Sequence, residues 1–209
     1  MLLVLALTYT SPLSKVVYNM ADTGWLNPGT EAVYNTAPFN GSVNWTTGNA
    51  VANDGSYDSS LAPPAFVDSQ GLKCTNFGAA VTSGATIDGV AFQIETRSTG
   101  GPTWKYVRLV KGGTVGTDTT EDNTASLPGI ADTYVASGSP TSLWGVALTD
   151  TDVNASTFGV CVSCTLPAFG SAYIDHVQMK VYYTEATGGI TILQSSNRGV
   201  ERGVLRGAA

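Results

Sequence analysis

The sequence has few charged residues for its length. Asp, Glu, Lys and Arg make up 12% of the 209 residues, about half of the ~25% that is typical of soluble domains. Coiled coils and helical bundles need Glu, Lys and Leu at helical spacing, so the composition opposes both. Ten Lys and Arg against sixteen Asp and Glu give a formal net charge of −6. This is the wrong sign for binding nucleic acid, and we expect no nucleic-acid partner.

Long apolar runs are absent as well. The longest, residues 1–7, is far shorter than the about 20 residues that a membrane-spanning helix needs. No Lys or Arg precedes this run, and the first positive charge, Lys15, follows it. We therefore expect neither a signal peptide nor a membrane-bound protein.

Cysteine is scarce, with three residues in the chain. An odd number cannot all pair, and the spacing does not resemble a secreted disulfide framework. Cys161 and Cys164 form a C-x-x-C, but they lie in a strand-like stretch in which positions three apart point to opposite faces. We predict a structural role, with Cys164 on the buried face, rather than a metal or redox site.

Catalytic motifs are missing too. The chain has no H-E-x-x-H, G-x-S-x-G or P-loop sequence. Its one histidine, His176, is the only candidate base, and Asp175 is predicted on the opposite face of the same strand, where it cannot orient the imidazole. We therefore predict that the protein is not an enzyme, that no residue is catalytic and that no cofactor is bound.

Glycine, threonine and serine are abundant and together supply a third of the residues. With 43% hydrophobic residues, the chain has enough apolar surface to fold. Strand patterns alternate with Gly, Pro, Asn and Asp clusters, and no stretch keeps a helical period. These patterns predict an all-β protein: a single antiparallel β-sandwich, jelly-roll-like, over residues 21–187.

Three strands are predicted most clearly, at residues 87–97, 104–111 and 172–184. Alternation assigns one face of each strand to the core. The predicted core-facing residues are Val90, Phe92, Ile94, Val107, Leu109, Val177, Met179, Val181 and Tyr183. The predicted outward residues of the last strand are His176, Gln178, Lys180 and Tyr182.

Charge is distributed unevenly along the chain. No Lys or Arg lies between Lys111 and Lys180, so this half is locally acidic. Residues 188–209 instead carry Arg198, Arg202 and Arg206, spaced by glycine. We interpret this segment as a basic assembly arm that binds an acidic neighbouring surface, the alternative being a solvated tail. Residues 1–20 are predicted as an N-terminal arm or first strand.

A series of short motifs keeps its order along residues 25–184. The motif residues are Trp25, Asn27 and Pro28; Asp54, Gly55 and Tyr57; Leu72, Lys73, Thr75, Asn76, Phe77 and Gly78; Leu143, Trp144 and Gly145; Asp152, Asn154, Ser156, Phe158 and Gly159; and Asp175, His176, Val177, Val181, Tyr182, Tyr183 and Thr184. In this pattern the chain resembles a widespread β-sandwich domain of tailed-bacteriophage structural proteins.

The resemblance implies a virion component, because such domains decorate heads or form parts of tails and fibres. It implies a non-enzymatic structural protein that stabilises the capsid through contacts between subunits. The implied partners are the major capsid protein or tail proteins and further copies of the chain, with a trimer as the first expectation. The alternatives are a host-glycan-binding module of a tail or head fibre and, less in keeping with the first residues, a secreted bacterial adhesin.

Two candidate binding sites follow from residue types. Asp150, Asp152 and Asn154 resemble the start of a calcium loop, although Ala155 and Cys161 stand where such a loop needs Gly and Glu, so no metal is predicted. Exposed aromatic rings commonly stack on sugars, and the candidates for glycan stacking are Trp25, Trp45 and Trp104. The alternative for each tryptophan is that it seals the core or an interface.

Overall fold

The computed structural model describes residues 20–122 and 125–186. Eleven strands and one short helix form this part of the chain, which confirms the all-β prediction. The strands are β1 (Met20–Asp22), β2 (Thr30–Tyr34), β3 (Asp58–Leu61), β4 (Val67–Asp68), β5 (Gly71–Thr75), β6 (Thr86–Thr99), β7 (Thr103–Lys111), β8 (Thr114–Val115), β9 (Thr133–Gly138), β10 (Gly159–Leu166) and β11 (Ser171–Thr184), and the helix is α1 (Asp150–Asn154).

The strands form two antiparallel sheets. The front sheet has the order β1-β11-β6-β9, with β3 also pairing with β11. The back sheet has the order β2-β5-β10-β7-β8, with β4 also pairing with β10. If β2, β3 and β4 are left out, eight strands remain and can be renumbered 1 to 8 along the chain. Their order is then 1-8-3-6 in the front sheet and 2-7-4-5 in the back sheet. This is the order of a jelly roll, so the predicted sandwich is confirmed.

The core lies between the two sheets. Phe92 and Met179 of the front sheet and Leu72 and Val160 of the back sheet are all buried in one hydrophobic cluster. The predicted inward residues of the three clearest strands belong to this cluster, with Tyr183 packed against its margin. Alternation therefore identified the buried face of each of these strands correctly.

Trp144 fills the edge of the core and holds an unusual backbone conformation. Its φ is 56° and that of Gly145 is 67°. The indole is buried, donates from Nε1 to the Val90 carbonyl oxygen at 2.9 Å and packs edge-on against Phe92. The hydrogen bond and the burial stabilise a left-handed conformation that is costly for a bulky residue. The Leu-Trp-Gly motif is thus explained by packing.

All three cysteines are buried, and Cys164 lies on the core face, as predicted. Cys164 and Cys74 lie in the main core, whereas Cys161 lies on the other side of β10, under Phe39. No two of these three are joined by a disulfide. Burial raises the pKa of each thiol, so the thiolate is disfavoured at neutral pH.

Both ends of the described chain lie at one end of the front sheet, since Met20 pairs with Thr184. The predicted arms, residues 1–20 and 188–209 with Arg198, Arg202 and Arg206, lie outside the described residues except for Met20, which begins β1. At the opposite end of β11, the turn that precedes Ser171 is bonded to the β3–β4 connection, where Phe169 N–H donates to the Pro63 carbonyl. No helix among the described residues is long and apolar enough to span a membrane.

Candidate functional site

The outward face of the front sheet carries polar and aromatic side chains instead of a second core. The pairing of β6 with β11 sets Arg97 beside Tyr173, and Gln93 beside Gln178. We call this surface the front face. Its other members used below are Asp22, Trp25, Asn27, Asn53, Asp54, Tyr57, Glu95, Asp132, Tyr134, Asp175, His176, Lys180 and Tyr182.

A loop crosses the middle of the front face. We call residues 49–57 the crossing loop. Its Asn53 amide donates to Glu95 of β6 and, at 3.1 Å, to the hydroxyl of Tyr134 of β9. Its backbone N–H groups at Asp54 and Gly55 donate to the Asp175 carboxylate at 3.4 and 3.2 Å. The loop therefore divides the front face into two halves.

His176 is buried beneath the crossing loop, whose Val51 bridges it. It lies on the outward face, as expected, but is only 5% exposed. Its Nε2 lies 2.9 Å from Asn27 Oδ1, an acceptor, so Nε2 carries the proton and Nδ1 accepts from the Tyr134 hydroxyl at 3.0 Å. Burial lowers the pKa of His176, and the neutral ring is fully bonded. Its hydrogen bonds are structural.

Asp175 is also placed differently from the prediction. The register of β11 against β6 shifts between Ile174 and His176. This β-bulge adds one residue, so that Asp175 lies on the same side as His176 rather than on the opposite face. Asp175 is nevertheless bonded to the crossing loop and does not orient the imidazole. The two residues form no catalytic pair.

Three amide side chains form a ladder across the half of the front face near the chain ends. Gln93 Nε2 donates to Gln178 Oε1 at 2.6 Å, and Gln178 Nε2 donates to Asn27 Oδ1 at 3.0 Å. Within the part of the chain that the structure describes, Gln93 Oε1 and Asn27 Nδ2 have no hydrogen-bond partner. The ladder thus presents one free acceptor and one free donor, at opposite ends of a chain of hydrogen-bonded amides.

Trp25 borders the same half of the front face. Thr23 N–H donates to the Val181 carbonyl at 3.1 Å and Leu26 N–H donates to the Met179 carbonyl at 2.8 Å, so this segment is fixed along the edge of β11. The Trp25 residue is 36% exposed, and the Lys180 ammonium lies 4.9 Å from its ring centroid. Of the three predicted stacking residues, Trp25 is the one that the structure leaves accessible.

The other half of the front face holds a stacked arginine. The Arg97 guanidinium carbon lies 3.8 Å from the Tyr57 ring centroid and 5.4 Å from that of Tyr173. The Tyr57 hydroxyl donates to Asp132 at 2.9 Å, and Asp132 also lies 4.0 Å from Arg97 Nε. Planar polar groups beside aromatic rings therefore occur on both sides of the crossing loop.

Trp45 and Trp104 do not serve as stacking residues. They are 3% and 2% exposed and belong to the main core. Trp45 donates from Nε1 to the Gln70 carbonyl at 2.9 Å, which explains how the indole is tolerated inside. For these two tryptophans the alternative reading holds: each ring seals the core and is not available for glycan stacking.

The three residues that resemble the start of a calcium loop bind to different parts of the protein. Asp152 caps α1 through Thr149 and lies 3.0 Å from Lys111 Nζ. Asn154 exchanges two hydrogen bonds with the Val81 backbone, each 2.8 Å long, and Asp150 accepts from Gly84 N–H at 3.2 Å. The three side chains serve a helix cap and two loop contacts, so they do not converge on one point. The described residues include no cluster of three or more His, Cys, Asp or Glu that could hold a metal ion.

A pair of buried carboxylates was not found from the sequence. Glu31 of β2 and Asp58 of β3 both accept from the Ala50 N–H, at 3.0 Å each, which brings the two carboxylates together between the edges of the two sheets. Burial and the neighbouring Asp58 raise the pKa of Glu31 to about 7, and burial raises the pKa of Asp58. The pair also receives the Asn49 N–H. Nothing in the spacing of residues 31 and 58 indicated this contact.

Exposed apolar residues mark the end of the sandwich opposite the chain ends. Phe66 and Phe169 are 72% and 73% exposed, and Leu61 lies on the adjoining strand β3. Phe169 has a φ of 60° in a turn closed by the Gly170 N–H to the Pro167 carbonyl at 2.7 Å. A large apolar residue held exposed in this way is a feature of interaction surfaces.

Sequence reasoning missed the front face as a site although part of its signal was visible. Alternation placed Gln93, Arg97 and Gln178 outward, and their planar polar side chains were a signal. The partners that complete the site, Asn27 and Asn53, come from loops whose path over the sheet the sequence does not reveal.

Comparisons with known proteins gave only remote likenesses. No family model matches the chain, and no curated protein matches it. A solved structure described as "BiXyn10A CBM1 APO" is similar with a TM-score of 0.30 and 10% identity, covering 77% of this chain and 99% of that one. A protein from Bacteroides thetaiotaomicron VPI-5482, provisionally assigned as sugar binding, is similar with a TM-score of 0.30 and 12% identity, covering 73% and 88%. Likenesses this remote carry no argument about function.

Proposed function

We propose that the chain is a non-enzymatic binding module whose front face binds carbohydrate. The observation that carries the proposal is the amide ladder beside Trp25: a free acceptor and a free donor at fixed positions, next to an accessible indole. Sugars present hydroxyl groups, which both donate and accept, together with apolar C–H faces that pack on aromatic rings. The geometry of the ladder suits such a ligand.

The fixed geometry favours binding because little order has to be created when the ligand arrives. Gln178 is held at both ends of its amide, and Asn27 is held by His176 and Gln178. Side chains that are already immobilised lose less conformational entropy on binding than free ones. The buried neutral His176 thereby contributes as a positioning residue and not as a base.

The proposed setting is a phage particle, as the resemblance of the motif residues implies. We propose a virion component that contacts the major capsid protein or tail proteins and forms a homo-oligomer, a trimer in the first instance. Mass spectrometry of separated heads and tails tests this setting. Hundreds of copies with the heads would support decoration, a few copies with the tails would support host attachment, and absence from both would contradict the setting.

Particle decoration is the second candidate function, and the exposed apolar end favours it. Phe66 and Phe169 are the kind of residues that contacts between subunits bury. They lie at the end of β11 away from Thr184, so the two candidate surfaces are separate. One chain can therefore bind a neighbour through this end and a ligand through the front face.

The direct test of the first proposal is a comparison of two aromatic substitutions. Isothermal titration calorimetry of the full chain against oligosaccharides selected on a glycan array gives the affinity. Trp25→Ala should weaken binding about tenfold, as expected for loss of one aromatic contact of about 1.4 kcal/mol. Phe169→Ala, which removes a more exposed ring outside the front face, is the matched control and should bind normally. Equal affinity of all three proteins would contradict the proposed site.

A further inference from the structure

The charges on the front face restrict the ligands that it can take. Carboxylates outnumber cations on this face and in the crossing loop. The carboxylates include Asp88, which accepts from the outward Thr184 hydroxyl, together with Asp22, Asp54, Glu95, Asp132 and Asp175. The cations are Arg97 and Lys180, so negative charge remains in excess here, in a chain whose formal net charge is −6.

Both cations are already engaged. The Arg97 guanidinium is stacked against Tyr57 and lies near Asp132, at 4.0 Å. Lys180 Nζ lies 3.8 Å from Asp22 and over the ring of Trp25. An anionic ligand would therefore have to compete with a neighbouring carboxylate for either cation. Among the residues that the structure describes on this face, no Lys or Arg is free of such a neighbour.

The groups that remain available are uncharged. Gln93 Oε1 and Asn27 Nδ2 are the free ends of the amide ladder, and the Trp25 ring borders them. An uncharged hydroxyl can bond to either amide group without bringing a charge near Glu95. A carboxylate or sulfate group offers acceptors only, so it cannot use Gln93 Oε1 and is repelled by the surrounding acids.

The size of this half of the face indicates an oligosaccharide. From Gln178 to Tyr182, the part of β11 that the crossing loop leaves open, the strand rises about 13 Å at ~3.3 Å per residue. The crossing loop closes one end of this stretch, where Asn53 reaches Tyr134. A ligand lying along the strands can therefore contact the amide ladder and Trp25 together.

From these charges and contacts we infer that the front face selects neutral oligosaccharides and excludes those that carry carboxylate or sulfate groups. This inference rests on the proposed function and adds the ligand class. Selection arises from repulsion of the wrong ligand as much as from attraction of the right one.

A glycan array tests the inference with the full chain. The array should carry neutral oligosaccharides beside their counterparts with a sialic or uronic acid, and titration calorimetry should follow the best matched pair. We expect the acidic oligosaccharide to bind at least about tenfold more weakly than its neutral counterpart in 50 mM salt. This difference in affinity should narrow in 500 mM salt, because ions screen exposed charges. Glu95→Gln, which removes one carboxylate from the front face, should also narrow this difference in affinity between the neutral and the acidic ligand. The control is Asp150→Asn, which removes one negative charge at a position outside the front face. It should not change the difference in affinity between the two ligands.

The possible outcomes separate the inference from the proposed function. Binding of both ligands with equal affinity, or tighter binding of the acidic one through Lys180, would overturn the charge selection and leave carbohydrate binding intact. Absence of binding to any glycan would overturn the proposed function, and the inference with it. A third outcome is that the neutral oligosaccharide binds more tightly than the acidic one, but Glu95→Gln does not change this difference in affinity. That outcome would overturn the role given to the acidic residues.

Discussion

The carboxylate pair of Glu31 and Asp58 makes the stability of the protein depend on pH. The Glu31 pKa is about 7 in the folded protein against an ordinary value of 4.5. Folding therefore binds a proton between these two pH values, so the stabilisation is complete below about pH 4.5 and is lost as the pH rises through 7. At 1.36 kcal/mol for each pKa unit the loss is about 3 kcal/mol, and partial exposure of Glu31 reduces it to about 2 kcal/mol.

Glu31→Gln tests this dependence. The amide is the same size as the carboxyl group, carries no charge and can donate to Asp58. The variant should therefore match the wild type at pH 5 and be about 2 kcal/mol more stable at pH 8, where the wild-type pair carries two negative charges. Urea denaturation of the full chain at pH 5, 6, 7 and 8 gives the free energies of unfolding.

Glu185→Gln provides the control, since Glu185 is exposed and lies after the last strand. It should follow the wild type at every pH. The reasoning would be refuted if Glu31→Gln and the wild type lost the same free energy between pH 5 and pH 8. That result would mean that the two carboxylates do not hold a proton between them.

Two further substitutions test the packing of the back sheet. Asp122→Asn should destabilise the protein by about 3 kcal/mol in urea denaturation, because the Arg108 side chain, 8% exposed and 2.8 Å from Asp122, would lose its buried partner; a loss below about 1 kcal/mol would contradict this. Gly159→Ala should destabilise by about 2 kcal/mol or more, since a Cβ there would lie 2.0 Å from the Cys74 carbonyl oxygen, whereas Gly129→Ala has open space and should be neutral. Equal melting temperatures of the two alanine variants would contradict that account.

Much of the sandwich was predictable because alternation is a local property. Val90, Phe92 and Ile94 repeat every second residue, and this spacing alone assigns them to the buried face of β6. The strand order is also that of a jelly roll, the class of sandwich that the sequence predicted. The register shift at Asp175 was not predictable, since a bulge inserts one residue without changing the composition of the strand.

The site was less predictable because it depends on loops that meet over the sheet. Trp104 closely follows the Gly-Gly-Pro turn at residues 100–102, which favours an exposed edge, yet its ring is buried in the core. Trp25 became the accessible tryptophan because its segment pairs along the edge of β11. The Glu31–Asp58 contact joins the edges of two different sheets, and no sequence spacing encodes such a contact.

The most direct test of carbohydrate binding at the front face is nuclear magnetic resonance mapping with a neutral oligosaccharide from the array. The account predicts that the largest shift changes are those of the Trp25 indole N–H and of the side-chain amides of Asn27, Gln93 and Gln178. The Trp45 indole N–H, which is buried and bonded to Gln70, should not move. Changes confined to other surfaces, such as the apolar end with Phe66 and Phe169, or no changes at saturating ligand, would contradict the central claim.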